Sequence, residues 1–148
     1  MRVRDAMTSD PACCLATDSA QQVAGMLRKL NVGAIPVVTD HESRRLIGMI
    51  TDRDLCCSVV ADGLDPQGTP IEKTMSVNPV SCREGENLDD CERLMQEHQV
   101  RRMPIVDGVG RVIGIVSLAD LALRDQPEKV AKTVVEVSKP QSSAPVGA

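Results

Sequence analysis

GMITDRD, residues 48–54, occurs again as GIVSLAD at residues 114–120. Both heptads contain a glycine, two apolar residues, a hydroxyl residue, two free positions and an aspartate. The apolar run before each heptad predicts a buried strand, and the pattern after it predicts a helix. The hydroxyl residue is then expected at the helix N-cap, and the aspartate in the first turn, where backbone amides and the helix dipole favour it. Taken alone, each heptad predicts a capping motif.

The duplication extends well beyond the heptads. MTSDP at residues 7–11 matches MSVNP at 75–79, and IPVV at 35–38 matches MPIV at 103–106, both at an offset of 68. Amphipathic helical patterns lie between the matched segments in both halves. The offset falls to 66 at the heptads because the turn DHESRR is two residues longer than its counterpart GVGR. A repeat of this length predicts one structural unit present twice.

Each unit is predicted to fold as β-α-β-β-α. A unit this small buries little surface alone, so we expect an α+β fold in which the two repeats pack sheet to sheet with pseudo-two-fold symmetry. The Gly- and Pro-rich stretch between the repeats predicts a linker. The expected boundaries are 1–62 for the first repeat, 63–72 for the linker, 73–125 for the second repeat, 126–137 for a C-terminal helix and 138–148 for a disordered tail.

Composition excludes several classes of protein. The chain has 148 residues, 42% hydrophobic content and a formal net charge of -4, so it lacks the basic face typical of nucleic-acid binders. It contains no Phe, Tyr or Trp, the residues on which bases usually stack. No apolar run is long enough to span a bilayer, and the N-terminus lacks the apolar stretch of a signal peptide. These features predict a cytoplasmic protein that binds neither nucleic acid nor membrane.

The middle of each repeat, x-x-Pro-apolar-apolar, and its end, G-h-x-[ST]-x-x-D, resemble the cystathionine β-synthase (CBS) domain. The tandem pair resembles a Bateman module over residues 1 to about 125, and its sequence is similar to that of small standalone bacterial CBS-pair proteins. The resemblance implies a regulatory protein that senses an adenosine-type ligand, such as AMP, ADP, ATP, NAD or S-adenosylmethionine, in clefts between the repeats. It also implies a homodimer formed through the helices around 19–31, 52–62, 86–98 and 118–125, and an effector protein that receives the signal.

The heptads supply the ligand groups expected for adenosine. A ribose has two neighbouring hydroxyls, and the carboxylates of Asp54 and Asp120 can accept from both. Thr51 and Ser117 could donate to a phosphate at the helix N-termini. By resemblance, one site combines the first heptad with the early strand of the second repeat. The other site combines the second heptad with the early strand of the first repeat. The first comprises Thr51, Asp54, Val80, Arg101, Arg102, Met103 and Pro104, and the second comprises Ser117, Asp120, Ala12, Cys13, Val32, Gly33, Ala34, Ile35 and Pro36.

The two predicted sites differ in charge. Arg101 and Arg102 would give the first site guanidinium donors for phosphate, whereas Gly33 and Ala34 give the second site none. We expect the second site, if occupied, to hold the adenosine end of a ligand whose phosphates find cations elsewhere, and Arg53 is a possible donor. The alternative for the two adjacent arginines is a solvated turn. We therefore expect the first site to prefer phosphorylated adenosines.

No catalytic motif is present in the chain. It has no nucleophile elbow, Walker loop or HExxH sequence, so no catalytic cofactor or activity is expected. Two other classes stay open from the residues alone. One is an interaction module whose sites are empty, and the other is a thiol-based redox or metal protein. The second would use the adjacent pairs Cys13–Cys14 and Cys56–Cys57, although neither forms a CxxC motif.

Overall fold

The structure, a computed structural model, describes residues 1–140. The tail predicted for 138–148 therefore lies largely outside the described residues. The helices are α1 (Val3–Ala6), α2 (Ala20–Leu30), α3 (Asp52–Leu55, continued by a π-helical turn at Cys56–Val60), α4 (Leu88–His98), α5 (Leu118–Arg124) and α6 (Pro127–Ser138), with a 3-10 turn at Ile71–Lys73. The strands are β1 (Thr8–Ser9), β2 (Cys14–Leu15), β3 (Ala34–Val38), β4 (Leu46–Thr51), β5 (Ser76–Val77), β6 (Cys82–Arg83), β7 (Arg102–Val106) and β8 (Val112–Ser117).

The strands of the described chain form two four-stranded sheets, in the orders β2-β3-β4-β5 and β1-β8-β7-β6. The same pattern of pairing appears in both, since β2 and β6 run parallel to β3 and β7, and the other pairs are antiparallel. An isolated antiparallel bridge between Arg45 and Arg111 joins the hairpins of the two sheets, where the Leu46 amide donates to Gly110 O and the Val112 amide donates to Arg44 O. The predicted α+β fold of two β-α-β-β-α repeats is confirmed.

An exchange of strands ties the repeats together. β1 is the first strand of the first repeat but pairs with β8 of the second, and β5 is the first strand of the second repeat but pairs with β4 of the first. The heptad glycines allow this close approach: a side chain at Gly48 would lie 2.7 Å from Ser76 O, and one at Gly114 would lie 3.2 Å from Thr8 O. Each heptad glycine therefore makes room for the strand that crosses from the other half of the chain.

The first long helix of each repeat is held by a cap at its start and by an apolar face. Ser19 caps α2, accepting from the Gln22 amide, and Asn87 caps α4, accepting from the Asp89 amide. The apolar faces of these helices cover their own sheets. The buried residues include Ala20, Val23 and Leu27 on α2 and Leu88, Cys91 and Met95 on α4.

The C-terminal helix α6 packs on α4 of the second repeat. Val137 joins the core of that repeat, and Thr133 is fully buried at the contact. The side-chain Nε2 of Gln96 donates to Thr133 Oγ1 at 3.0 Å. None of the helices in residues 1–140 combines the length and apolar character that a membrane crossing needs.

Candidate functional site

A cavity of about 630 Å³ lies between the two repeats. One wall comes from β1, the segment after it and the start of β3, and the other comes from the second heptad and the start of β7. Both polar and aliphatic groups face the space. The residues lining it are Thr8, Ser9, Asp10, Pro11, Ala12, Leu30, Asn31, Val32, Gly33, Ala34, Ile35, Pro36, Arg101, Arg102, Ile115, Ser117, Leu118, Ala119 and Asp120.

Both heptads form the capping motif that the sequence predicts. The Asp120 amide donates to Ser117 Oγ at 3.1 Å, and the Ser117 amide donates to Asp120 Oδ2 at 2.9 Å. Thr51 and Asp54 make the same reciprocal pair, both at 3.0 Å. Ser117 Oγ also donates its proton to Asp120 Oδ2 at 3.0 Å. The hydroxyl proton is therefore used within the capping motif and is not free to bind a phosphate.

The second oxygen of Asp120 faces β1. Thr8 Oγ1 donates to Asp120 Oδ1 at 3.2 Å, and this hydrogen bond is exposed. Sequence reasoning missed Thr8, although MTSDP had been matched to MSVNP in the second repeat. The match could have identified it, because Thr8 and Ser76 are hydroxyl residues at corresponding positions of the two crossing strands. A ligand hydroxyl at Asp120 would replace or share this hydrogen bond.

The structure brings together most of one predicted site. The cavity joins Ser117 and Asp120 to Ala12 and to the consecutive residues 32–36. Cys13 does not line the cavity; it is buried beneath, where its thiol donates to Pro11 O at 3.5 Å. The members of the other predicted set that do not line this cavity are Thr51, Asp54, Val80, Met103 and Pro104.

Arg101 and Arg102 lie at the cavity that was expected to lack a guanidinium. Strand register explains this difference, because Arg102 pairs directly with Ser117 across the antiparallel β7–β8 ladder. Side chains at directly opposed positions project to the same face of a sheet. The Leu118 amide also donates to Arg101 O at 3.1 Å, which holds the start of α5 against the arginine pair. The expectation of a cavity without cationic donors beside Ser117 is therefore wrong.

Arg44 fixes the edge of the cavity from the β3–β4 turn. Its guanidinium binds Asp10 Oδ1 at 2.7 Å and donates to Pro11 O at 2.7 Å. Asp10 has a left-handed backbone with φ of 50°, which aspartate tolerates better than most residues. Arg44 has a φ of 55° and also contacts Cys13. The charge of Asp10 is therefore already matched by an arginine that does not line the cavity.

Of the two adjacent cysteine pairs, Cys13–Cys14 is a poor candidate for redox chemistry at neutral pH, whereas Cys56 and Cys57 are exposed. All six cysteines are free, and Cys13 and Cys14 are buried. Burial raises the pKa of the Cys13 thiol, partly offset by the nearby Arg44 guanidinium, and burial raises the pKa of Cys14 to about 12. Since the thiolate is the reactive form, these two thiols should react slowly.

One group of possible metal ligands occurs within residues 1–140, away from the cavity. The carboxylates of Asp89, Glu92 and Asp125 have oxygens within 4.8 Å of one another, between α4 and the start of α6. Lys129 Nζ contacts both oxygens of Asp89, at 3.0 and 3.2 Å. A cation of the chain itself therefore already balances part of this negative charge.

Comparisons with known proteins agree with the repeat seen in the structure. The family described as CBS domain matches residues 3–60 and 71–125. The CBS domain-containing protein YhcV of Bacillus subtilis is 41% identical over 129 residues, covering 87% of this chain and 89% of the relative. A crystal structure of Hypoxic Response Protein I with two coordinated zinc ions is 30% identical, with a TM-score of 0.76, covering 85% of this chain and 100% of that one. The CBS domain pair of protein MJ0100, crystallised with 5-methylthioadenosine and S-adenosyl-L-methionine, is 28% identical, with a TM-score of 0.74, covering 83% and 94%.

Proposed function

Because the chain belongs to the CBS domain family, we propose that it is a regulatory module that binds an adenosine-type ligand between its two repeats. The observation that carries this proposal is the cavity of about 630 Å³, which is walled by both repeats and contains the second heptad. Its volume lies within the roughly 300–1,000 Å³ typical of small-molecule sites. Among known relatives, the MJ0100 domain pair with two adenosine compounds supports the choice of ligand.

The lining residues suit the parts of an adenosine. Val32, Ile35 and Leu118 offer aliphatic surface for an adenine ring, in a chain that has no aromatic side chain to stack on it. Asp120 lines the cavity, and within the described chain its Oδ1 accepts only the hydrogen bond from Thr8. We expect it to accept from the ribose hydroxyls, with Oδ2 retained by the cap. The equivalent pair of Thr51 and Asp54 is proposed as a second ligand-binding position.

A ligand in this cavity would act by changing how the repeats are arranged. It contacts the first repeat at β3 and the second at α5, so it binds best to the arrangement in which both walls reach it. The output would be read by an effector protein or by a second copy of the chain. We propose no catalytic step, because the carboxylates of Asp54 and Asp120 belong to separate heptads and each caps its own helix.

The helices that follow the heptads are proposed as the homodimer contact. Leu123 on α5 is 83% exposed, and Val60 at the end of the π-helical turn is 70% exposed. Both stand in corresponding parts of the two repeats. Large apolar side chains this exposed are typical of surfaces that associate with a partner.

The first experiment is the ultraviolet spectrum of the purified protein, followed by mass spectrometry of material released by denaturant. Since the chain has no Tyr or Trp, an adenine band near 260 nm would stand clear of protein absorption. In its absence, we would titrate AMP, ATP, NAD and S-adenosylmethionine and follow unfolding. A ligand at a hundred times its Kd should stabilise the protein by about 2.7 kcal/mol. If no adenosine compound co-purifies or stabilises the fold, the proposal is wrong and an interaction module without ligand is favoured.

A further inference from the structure

Arg45 and Arg111 face each other where the hairpins of the two repeats meet. They form the isolated antiparallel bridge between the sheets, and each lies one residue before the second strand of its hairpin, β4 or β8. Their positions correspond in the two repeats, at the same offset of 66 that relates the heptads. An operation that exchanges the repeats also exchanges these two residues, so the pseudo-two-fold axis passes between them.

The backbone places the two side chains next to each other. The two amide-to-carbonyl hydrogen bonds that join the hairpins are made by the flanking residues, and neither connects Arg45 to Arg111 directly. Residues opposed in this way have Cα atoms about 4.5 Å apart and side chains on the same face. The next residues, Leu46 and Val112, pack with Val38 on the other face. Both guanidinium groups therefore lie on the solvent side of the bridge.

This arrangement leaves two positive charges with little compensation. Like charges directly opposite each other destabilise a strand pair. Within residues 1–140, Arg45 belongs to none of the ion pairs, and Arg111 pairs only with Asp107, through Nε at 3.9 Å. Both side chains are exposed. Their guanidinium groups therefore keep donors for an acceptor from outside the chain.

A cavity of about 450 Å³ adjoins the arginine pair. It is lined by the two arginines and by three polar residues of the β3–β4 turn, Asp40, Glu42 and Ser43. The Asp40 carboxylate is already engaged in that turn, because its Oδ1 accepts from the Ser43 amide at 2.6 Å and from the Glu42 amide at 3.0 Å. The hydrogen bonds from Ser43 lower the pKa of Asp40 below its ordinary value. Asp40 is therefore satisfied without the arginines, and Glu42 is the lining carboxylate that would compete with an anion for them.

We propose that Arg45 and Arg111 together bind one small multivalent oxyanion, inorganic phosphate, between their guanidinium groups. A tetrahedral phosphate has enough oxygens to accept hydrogen bonds from both planar guanidinium groups at once. Because each repeat contributes one arginine, the anion would offset the repulsion between them and stabilise the joint between the sheets. Neither arginine lines the larger cavity, so this site is separate from the proposed adenosine site and does not rest on it.

The test is isothermal titration calorimetry of the whole folded chain with sodium phosphate at neutral pH, with sodium chloride keeping the ionic strength constant. Arg45→Gln and Arg111→Gln should each weaken phosphate binding on the order of tenfold to a hundredfold, because hydrogen bonds to a charged group are lost. Arg45→Lys should give a smaller loss, since lysine keeps the charge but not the planar fork. Arg93→Gln is the charge-matched control, because Arg93 is 63% exposed on α4 and lines neither cavity.

Thermal unfolding followed by circular dichroism gives a readout that the loss of an ordinary structural contact would not reproduce. Without phosphate, Arg45→Gln should unfold at the same temperature as the wild-type chain or at a higher one, because the opposed charges no longer repel each other. Phosphate should raise the unfolding temperature of the wild-type chain and should raise that of Arg45→Gln much less. Glu42→Gln removes the competing carboxylate and should increase phosphate affinity.

Three results would overturn this inference. The first is that the folded wild-type chain binds no phosphate, and the second is that Arg45→Gln and Arg111→Gln bind it as tightly as the wild-type chain. The third is that Arg102→Gln loses phosphate binding while Arg45→Gln retains it, which would place the anion in the larger cavity. Because these titrations contain no adenosine compound, none of the three results bears on the proposed function.

Discussion

Replacing Glu92 with glutamine should stabilise the protein at pH 8 and change its stability little at pH 4.5. The side chain of Glu92 is only 3% exposed, between α4 and α6. Its Oε1 accepts from Thr133 Oγ1 at 3.2 Å, and the charged groups around it are Asp125, Asp89 and Lys129. Burial, followed by the neighbouring Asp125 carboxylate, raises the pKa of Glu92 from 4.5 to about 7.

The magnitude and the sign follow from linkage. A carboxyl group whose pKa is higher in the folded state loses a proton less readily there, so the free energy of unfolding falls as the pH rises from 4.5 to about 7. At about 1.4 kcal/mol for each pKa unit, the ionised carboxylate destabilises the fold by on the order of 3 kcal/mol at pH 8. Glutamine keeps the oxygen that accepts from Thr133 and carries no charge. It should therefore recover most of this free energy above pH 7.

The assay is urea-induced unfolding followed by circular dichroism at pH values from 4.5 to 8, because the chain has no Trp or Tyr for fluorescence. The quantity of interest is the difference in free energy of unfolding between Glu92→Gln and wild type at each pH. Glu97→Gln is the matched control, since Glu97 lies on the same helix but is exposed. A difference for Glu92→Gln that does not grow between pH 4.5 and 8 would refute the reasoning.

Four further predictions concern the heptads, helix α2, the crossing strand and the dimer. Replacing both Asp54 and Asp120 with alanine should abolish AMP binding in calorimetry while circular dichroism shows a folded protein, with about 1 kcal/mol lost at each cap; retained affinity would contradict the ribose assignment. Gly25→Ala should raise the free energy of unfolding by about 0.5–1 kcal/mol, because nothing lies within 4 Å of the added methyl in α2. Gly114→Ala should lower the free energy of unfolding, because the added methyl would meet Thr8 O at 3.2 Å. If thermal unfolding shows that both glycine variants change the stability in the same direction, the crossing-strand explanation is wrong. Leu123→Glu should convert the proposed homodimer to a monomer in light scattering, and an unchanged mass would exclude this contact.

Local patterns were sufficient to predict the repeat and its caps. The heptads encode strand, cap and helix within seven residues, and the hydrogen bonds of each cap join residues only three positions apart. Their formation therefore depends little on the rest of the chain. The amphipathic helices and the paired strands β3–β4 and β7–β8 were predictable for the same reason, because their apolar spacing is regular.

The allocation of charge to the cavity could not be predicted in the same way. The adjacent arginines were expected to serve the first heptad, since family resemblance pairs each heptad with the other repeat. In the structure, Arg102 lies opposite Ser117 in its own repeat and also reaches Gly33 in the other. Which of these neighbours an arginine meets depends on strand register and on the distance between sheets, and neither leaves a pattern along the chain.

The sequence by itself determined the duplicated β-α-β-β-α unit, the two caps and the absence of aromatic groups from any site. Only the tertiary structure decided that β1 and β5 exchange between sheets, that Thr8 meets Asp120, and that Glu92 is buried under α6. The physical reason is distance along the chain. Caps and amphipathic faces are satisfied by residues a few positions away, whereas the other contacts join distant segments. Met49 pairs with Ser76, Glu92 accepts from Thr133 across 41 residues, and Asp120 accepts from Thr8 across 112 residues.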